Sequence, residues 1–296
     1  MFRLKNLNIL GSKAELAALP EGKQLINTIN AHSYNTARKD ELFAEALTNG
    51  DVLIPDGVSI VKACGWIKAK SQPKERIAGW DLFSFEMENL ERKQCGMWNV
   101  ECGVSGEECG VNNSSLDNSQ SASADNSKLK IQNSCSGKRL YEPSAKFRER
   151  PLTVMFMGSS EKVLDLIVKR AAEVYPHLKI VTYSPPYKPE FTEEDNKAIV
   201  EAINAADPDL LWIGMTAPKQ EKWTYSHWNE LNIHCHVGTI GAVFDFFAGT
   251  VERAPMWWQR HGLEWLYRLL KEPKRMWRRY IIGNTLFLLN MLKEKC

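Results

Sequence analysis

No run of apolar residues in this 296-residue sequence is long enough to span a membrane. The longest candidate, Ile281 to Leu292, falls short of the roughly 20 residues that a transmembrane helix needs and is interrupted by glycine and asparagine. The first residues, MFRLKNLNILGSKAEL, also lack the apolar segment of a secretory signal peptide. We therefore expect a cytoplasmic protein.

The seven cysteines lack the close pairing that is typical of zinc sites. Three of them recur every seven residues from Cys95 to Cys109, whereas structural zinc ligands usually come in pairs about two to four residues apart. His234 and His236 form an H-x-H pair on a predicted strand, but no third ligand lies nearby in the sequence. We predict reduced, non-catalytic thiols, no metal site and no cofactor.

Three short motifs of nucleotide-binding and hydrolytic enzymes are also missing. No G-x-G-x-x-G opens a helix after a predicted strand, which disfavours an NAD-type oxidoreductase, and no G-x-x-x-x-G-K-[ST] indicates a P-loop NTPase. No G-x-S-x-G indicates a nucleophile elbow. Asp207-Pro208-Asp209 has the form of a metal-binding D-x-D, but it precedes a predicted strand and so lies away from the ligand side of a parallel sheet.

The net charge is close to zero for the whole chain, but the C-terminal end carries an excess of positive charge. The net charge is +2, which gives no indication of nucleic-acid binding. Residues 251–296 nevertheless hold ten basic and four acidic side chains, a balance of +6, so the rest of the chain carries −4. The same segment is rich in tryptophan and tyrosine. This asymmetry predicts an anionic partner for the tail and no nucleic acid.

Short apolar runs alternate with helical patterns along the rest of the chain. Predicted strands cover residues 23–28, 51–55, 152–157, 180–183, 210–214 and 233–237, and predicted helices include residues 80–91, 163–174, 192–205 and 218–231. Residues 30–35 are predicted to form a polar loop. This alternation is typical of a parallel sheet covered by helices. We predict an α/β body over residues 1–250, with a Rossmann-like, mostly parallel sheet flanked by helices.

One segment interrupts this alternation, from Cys95 to Arg150. Residues 112–127 consist mainly of Asn, Ser, Asp and Ala, which cannot bury enough apolar surface to offset the entropy of ordering. We predict a flexible insertion between two halves of the body. A solvated loop is favoured over a functional lid.

The tail forms a helical C-terminal appendage over residues 251–296. Leu263, Leu266, Tyr267 and Leu270 follow helical spacing, and Pro273 must interrupt the helix. Basic residues continue at three- or four-residue spacing across the proline. We expect this appendage to dock on the inner face of the cell membrane as a peripheral element. The sequence leaves the oligomeric state open, since tail helices could pack against a second copy.

Polar residues at the predicted strand ends are the candidates for chemistry, because ligands bind beyond the carboxyl ends of parallel strands. Asp245, which follows VGTIGAVF, is one of them, and Asp56, between Pro55 and Gly57, is the strongest candidate. A carboxylate there can act as a general base or accept a hydrogen bond from a ligand hydroxyl. An ordinary Asp-Gly turn is the alternative interpretation.

Six stretches of the chain resemble one known family. They are INTIN at 26–30, PDGVSIV at 55–61, RIAGWDL at 76–82, APKQEKW at 217–223, GAVFDFFAGTVERAP at 241–255 and GLEWLYRLLKEPKRMWRRY at 262–280. In this order they resemble the motifs of the WecG/TagA/CpsF glycosyltransferases. The resemblance covers about residues 24–93 and 152–292, and the last two motifs are long and specific.

The resemblance implies an inverting, metal-independent glycosyltransferase of surface-polysaccharide biosynthesis. Family members transfer a sugar, N-acetylmannosamine or its uronic acid in the best-known cases, from a UDP-sugar donor. The acceptor is a polyprenyl-diphosphate-linked sugar at the membrane. A non-catalytic, membrane-associated scaffold that binds nucleotide sugars is the alternative, and the presence of Asp56 and Gln220 disfavours it.

The resemblance also implies roles for individual residues. Asp56 matches the family's proposed general base. The positions that match pocket residues are Thr28, Asn30, Arg76, Gln220 and Asp245. Arg268, Arg275 and Arg278 match tail arginines proposed to close over the active site and contact the diphosphate. The appendage therefore has two expected tasks, which are membrane docking and active-site closure.

The sequence departs from the family pattern at two places where a donor could bind. The region that often reads G-L-G-x-P-K-Q-E is GMTAPKQE here, with Thr216 in place of a glycine, and the usual H-x-G-Y-F region reads SPPYKPEF. The insertion at 95–150 is a third departure. Because of the first two differences, the sequence does not identify the donor sugar. None of the three involves Asp56 or the tail arginines.

Overall fold

A six-stranded, entirely parallel sheet forms the centre of the described structure. The computed structural model describes residues 2–96 and 150–295. The strands are β1 Gln24–Ile29, β2 Val52–Pro55, β3 Thr153–Gly158, β4 Lys179–Tyr183, β5 Leu210–Gly214 and β6 His236–Thr239. They are hydrogen-bonded in the order β2-β1-β6-β5-β3-β4, and every pairing is parallel. The predicted Rossmann-like α/β fold is confirmed.

Helices connect the strands and cover both faces of the sheet. Those of the body are α1 Ala31–Ala37, α2 Glu41–Asn49, α3 Val58–Trp66, α4 Gly79–Gln94, α5 Glu161–Val174, α6 Glu193–Ala206, α7 Lys219–Ser226 and α8 Gly241–Ala248. The appendage contains α9 Met256–Arg260, α10 Glu264–Lys271, α11 Pro273–Trp277, a π-helical turn Arg278–Ile282 and α12 Gly283–Lys295. Most of the predicted insertion, residues 97–149, lies outside the described residues.

Alternating side chains of the central strands build two apolar layers. On β3, Val154 and Phe156 pack with α4, α5 and α8, whereas Met155 and Met157 pack with α6 and α7. Because both faces of a parallel sheet are covered, the strand reads as a continuous apolar run instead of an alternating one. This is why the strands were visible in the sequence.

Two local predictions are wrong. Residues 30–35, expected to be a polar loop, belong mostly to α1, whose N-terminus is capped by Asn30. Its polar run, AHSYNTA, lacks the apolar period that marks a helix, and tertiary packing buries it instead. Residue Asp245, expected at a strand end, lies on α8, because β6 ends at Thr239 and not beyond it.

The appendage folds back onto the N-terminal half of the body. Pro273 begins α11, so the predicted break in the tail helix is confirmed. Beyond it, Phe287 and Met291 of α12 join the same buried cluster as Tyr34 of α1. Among the described residues, no helix combines the length and apolar composition required to cross a bilayer.

Candidate active site

Asp56 occupies the carboxyl end of β2, next to the end of β1. Its backbone N–H donates to the Ile29 carbonyl at 2.9 Å, which fixes the two strand ends side by side. The side chain is half-buried. Within the described part of the chain, no side chain forms a hydrogen bond or ion pair with its carboxylate. The carboxylate is therefore free to accept a proton or a hydrogen bond from a ligand.

Charged groups from both the body and the appendage surround this carboxylate. Burial is the largest influence and raises the pKa of Asp56, and the charge of Glu264 raises it further. The positive charges of Arg76, Arg268 and Arg279 act in the opposite direction without reversing the shift. Asp56 is thus a stronger base than a free aspartate while remaining surrounded by cations.

An ion pair joins Arg76 of the body to Glu264 of the appendage. Arg76 Nη1 lies 2.7 Å from Glu264 Oε2, although 188 residues separate them in the sequence. Their side chains are only 19% and 15% exposed. The start of α10 is therefore held against the body close to Asp56.

Two predicted pocket residues, Thr28 on β1 and Asn30 directly after it, lie near Asp56 but differ in whether their side chains are available to a ligand. Thr28 is half-buried and pairs in register with Ile54 of β2. The Asn30 side-chain oxygen accepts from the backbone N–H groups of His32 and Ser33, both at 3.0 Å, and so caps α1. Asn30 therefore shapes this edge of the sheet through the backbone of α1.

Gln220 is buried, with 4% of its surface exposed. Its Nε2 donates to Glu221 Oε1 at 2.9 Å, and its Oε1 accepts from the Gly241 N–H at 3.1 Å. A Cβ at Gly241 would lie 2.2 Å from the Met215 carbonyl oxygen, so only glycine allows α8 to start this close to the loop after β5. Gln220 thus couples α7 to α8.

Glu221 was not singled out from the sequence. It is 2% exposed, and burial raises its pKa to about 7. Its Oε2 has no hydrogen-bond partner in the described structure. The A-P-K-Q-E motif indicated Gln220 as a site residue. The burial of Glu221 could not be predicted in the same way, because it depends on how α7 packs.

Asp245 and Arg268 line one cavity between α8 and α10, with a volume of about 340 Å³. The Arg268 guanidinium lies 4.9 Å from the centre of the Phe246 ring. Arg253, which the sequence analysis did not assign to the site, lies over Trp80 and leaves its Nε buried without a partner in the described structure. The fold therefore adds a further arginine close to the predicted ones.

The remaining tail arginines differ in their surroundings. Arg278 is exposed and lies over the Trp277 ring, whereas its neighbour Arg279 faces Asp56 and His32. Burial, and then the charge of Arg279, lower the pKa of His32 to about 4. The predicted site residue Arg275 belongs to α11, but its side chain lies outside the described part of the structure. Spacing alone could not distinguish Arg278 from Arg279.

A separate cluster of Glu91, Cys95 and His177 offers metal-ligating atoms close together. His177 Nδ1 lies 2.5 Å from Glu91 Oε1 and 3.3 Å from Cys95 Sγ. Two ligands of one tetrahedral zinc ion would stand about 3.3 Å apart, given metal–ligand bonds of about 2.0–2.1 Å. The closer contact is a hydrogen bond between the Glu91 carboxylate and the His177 imidazole, and it accounts for this arrangement.

The chain matches the glycosyl transferase WecG/TagA/CpsF family over residues 3–100 and 123–296. It is 26% identical over 271 residues to an N-acetylglucosaminyldiphosphoundecaprenol N-acetyl-beta-D-mannosaminyltransferase of Bacillus subtilis, a match that covers 92% of this chain and 80% of that protein. A protein of the same name from Bacillus spizizenii is 25% identical over 271 residues, with 91% and 80% covered. Because the family match includes both halves of the body and the appendage, the chain belongs to the WecG/TagA/CpsF family and is a glycosyltransferase.

Proposed function

We propose that this enzyme transfers an N-acetylmannosamine-type sugar from a UDP-sugar to a polyprenyl-diphosphate-linked sugar, with inversion and without a metal ion, in surface-polysaccharide biosynthesis. The names of the two Bacillus relatives support the acceptor and the sugar class. The observation that carries the proposal is the unpartnered Asp56 carboxylate, held at a strand end among arginines of the body and the appendage.

In the proposed reaction Asp56 is the general base. It accepts the proton of the acceptor hydroxyl as that oxygen bonds to the anomeric carbon of the donor. The bond between this carbon and the UDP oxygen breaks, and its electron pair leaves on UDP. Attack opposite to the leaving group inverts the anomeric centre. The raised pKa of Asp56 supports this role, because it makes the carboxylate more basic.

The departing diphosphate requires positive charge, and arginines of the appendage are placed to supply it. Arg268 and Arg279 both face the Asp56 region, and Arg278 is exposed beside them. A guanidinium group binds phosphate oxygens through two parallel hydrogen bonds and stays charged at all relevant pH values. These side chains are therefore our candidates for the electrostatic role that a divalent metal has in other nucleotide-sugar enzymes.

We also propose that the appendage brings the site to the membrane that holds the acceptor. Most of the exposed large apolar side chains among the described residues lie in this segment, including Trp277, Ile281 and Leu288. Ile281 and Leu288 are 56% and 58% exposed. Exposed aromatic and aliphatic side chains with interspersed basic residues are typical of helices that lie in a membrane interface.

The direct test measures sugar transfer by wild-type and Asp56→Asn protein, with a panel of UDP-sugars and a polyprenyl-diphosphate sugar. We expect Asp56→Asn to lower kcat by about 100-fold or more, since general bases typically contribute a factor of that size. Donor binding should persist, because the base acts in the transition state. Asp165→Asn, an exposed aspartate on α5, is the matched control. Near-normal transfer by Asp56→Asn would refute the proposed base.

A further inference from the structure

Arg76 stands between two carboxylates, one from the body and one from the appendage. Building on the proposed role of Asp56 as general base, we propose that Glu264 is a positioning residue. It holds the Arg76 guanidinium away from Asp56, so that the base is free only while the appendage is docked on the body.

The backbone next to Arg76 is fixed beside Asp56, whereas the Arg76 side chain could pair with either Glu264 or Asp56. The N–H of Ile77, the next residue, donates to the Pro55 carbonyl at 3.1 Å, and Pro55 immediately precedes Asp56. The Arg76 side chain is paired with Glu264 at 2.7 Å and forms no ion pair with Asp56 in the described structure. Removal of Glu264 would therefore leave a largely buried guanidinium whose strongest remaining interaction with a carboxylate is the one with Asp56, ahead of Asp81.

A second contact brings the start of α10 to this place. Gly262, two residues before Glu264, has a φ of +69°, and a Cβ there would lie 2.9 Å from Val58 Cγ2. Val58 is the first residue of α3 and follows Asp56 by two residues. The appendage thus approaches the catalytic strand end closely, and a side chain at position 262 would strain and obstruct that approach.

The charged groups that act on Asp56 come from three segments of the chain. Asp56 is faced by Arg76 before α4, by Glu264 and Arg268 on α10, and by Arg279 on the π-helical turn. Arg76 is faced by Glu264, Asp56 and Asp81, and Arg279 also lies near His32 of α1. Because Glu264 and Arg268 are one helical turn apart on α10, the same packing of α10 on the body positions both. The packing of α10 that keeps Arg76 away from Asp56 therefore also places Arg268 where it could bind phosphate.

The test compares the pH dependence of kcat/KM for full-length wild type, Glu264→Gln and Glu264→Asp. In Glu264→Gln the loss of the Glu264 charge and the pairing of the freed Arg76 with Asp56 both stabilise the charged Asp56 carboxylate and lower its pKa. We expect the acid limb of the profile to move down by about one pH unit and kcat to fall by up to about 10-fold, since a weaker base is a poorer catalyst. Glu264→Asp, which keeps the charge, should recover part of both.

Two further variants separate this mechanism from a general loss of structure. Removing the guanidinium as well, in Arg76→Gln/Glu264→Gln, should return the acid limb toward higher pH. Glu173→Gln, an exposed glutamate on α5, is the matched control. An unmoved acid limb in Glu264→Gln, whether or not the rate falls, overturns the inference. If Asp56→Asn is inactive in the same assay, that result leaves the proposed general base intact, whereas an active Asp56→Asn rejects the proposed function itself.

Discussion

At the residue scale, the carboxylates in and near the candidate site differ in their surroundings. Asp56 has no protein partner among the described residues and is surrounded by arginines, whereas Glu264 is committed to Arg76. Glu221 is buried, and its Oε2 has no hydrogen-bond partner in the described structure. Burial raises the pKa of both Asp56 and Glu221, but of these two only Asp56 has arginines nearby that could bind the diphosphate of a sugar donor.

Glu221 should give the folded protein a specific pH dependence of stability. Its pKa is about 7 in the folded state against 4.5 as the reference value, so the folded state retains the proton between these values. Stability therefore decreases as pH rises through this window and stays constant above it, by roughly 3 kcal/mol for this group. Urea unfolding at pH 5 and pH 8 measures the difference, and Glu221→Gln should remove this part of it.

Glu201→Gln, an exposed glutamate on α6, is the control for this measurement. It should keep the wild-type difference between pH 5 and pH 8. An equal pH dependence in wild type and Glu221→Gln would show that Glu221 titrates as an ordinary exposed carboxylate.

At the element scale, one acidic side chain, Glu294, connects the C-terminal end of α12 to the body. The Glu294 carboxylate accepts from the backbone N–H groups of Leu4 at 3.0 Å and Lys5 at 2.9 Å, and from the Tyr34 hydroxyl. The Asn35 amide donates to the Gly283 carbonyl at the other end of the helix. Polar contacts thus fix both ends of α12, and apolar packing against α1 fills the space between them.

Replacing this carboxylate should loosen the whole helix. In Glu294→Ala three buried or half-buried donors lose their acceptor, which should cost about 3 kcal/mol of unfolding free energy. Hydrogen exchange across residues 283–295 should become faster, and chemical denaturation gives the energy. Lys293→Ala, on an exposed position of the same helix, should change neither. Unchanged exchange in Glu294→Ala would mean that apolar packing alone holds α12.

At the scale of the whole molecule, the appendage is both part of the core and part of the surface. Phe287 and Met291 are buried with α1 and α3, while Leu288, Leu289 and Leu292 on the same helix are exposed. Deletion after Gly249 would therefore remove core residues together with the proposed membrane surface. Changes confined to exposed positions separate membrane binding from folding.

The change Ile281→Ser/Leu288→Ser should weaken binding to vesicles of anionic phospholipid by about 10-fold or more, since each apolar side chain contributes roughly 1.5–3 kcal/mol on burial. The melting temperature should stay near that of wild type, because both side chains are exposed. Co-sedimentation with vesicles gives the binding. Tyr187→Ser, a fully exposed aromatic residue in the body, is the control. Equal vesicle binding by the double variant would place the membrane contact elsewhere.

Part of the site could be predicted from the sequence, and part could not. Asp56 follows an apolar run and precedes a glycine, so its place at a strand end was predictable from local pattern. Arg268 is recognisable from its motif. Arg279 was missed because basic spacing on a helix does not tell which side chain faces inward, and α1 was missed because its polar sequence hides a helix that packing buries.

Local sequence patterns are sufficient to predict the parallel sheet, the break at Pro273 and the strand end that carries Asp56. Each of these follows from local chemistry, namely continuous apolar runs, the missing N–H of proline and the turn after a strand. The folded molecule is needed to show that Glu264 meets Arg76 across 188 residues and that Arg279 faces Asp56. Such contacts depend on how α10 and α12 dock on the body, and docking is set by the combined packing of distant segments, which no local pattern encodes.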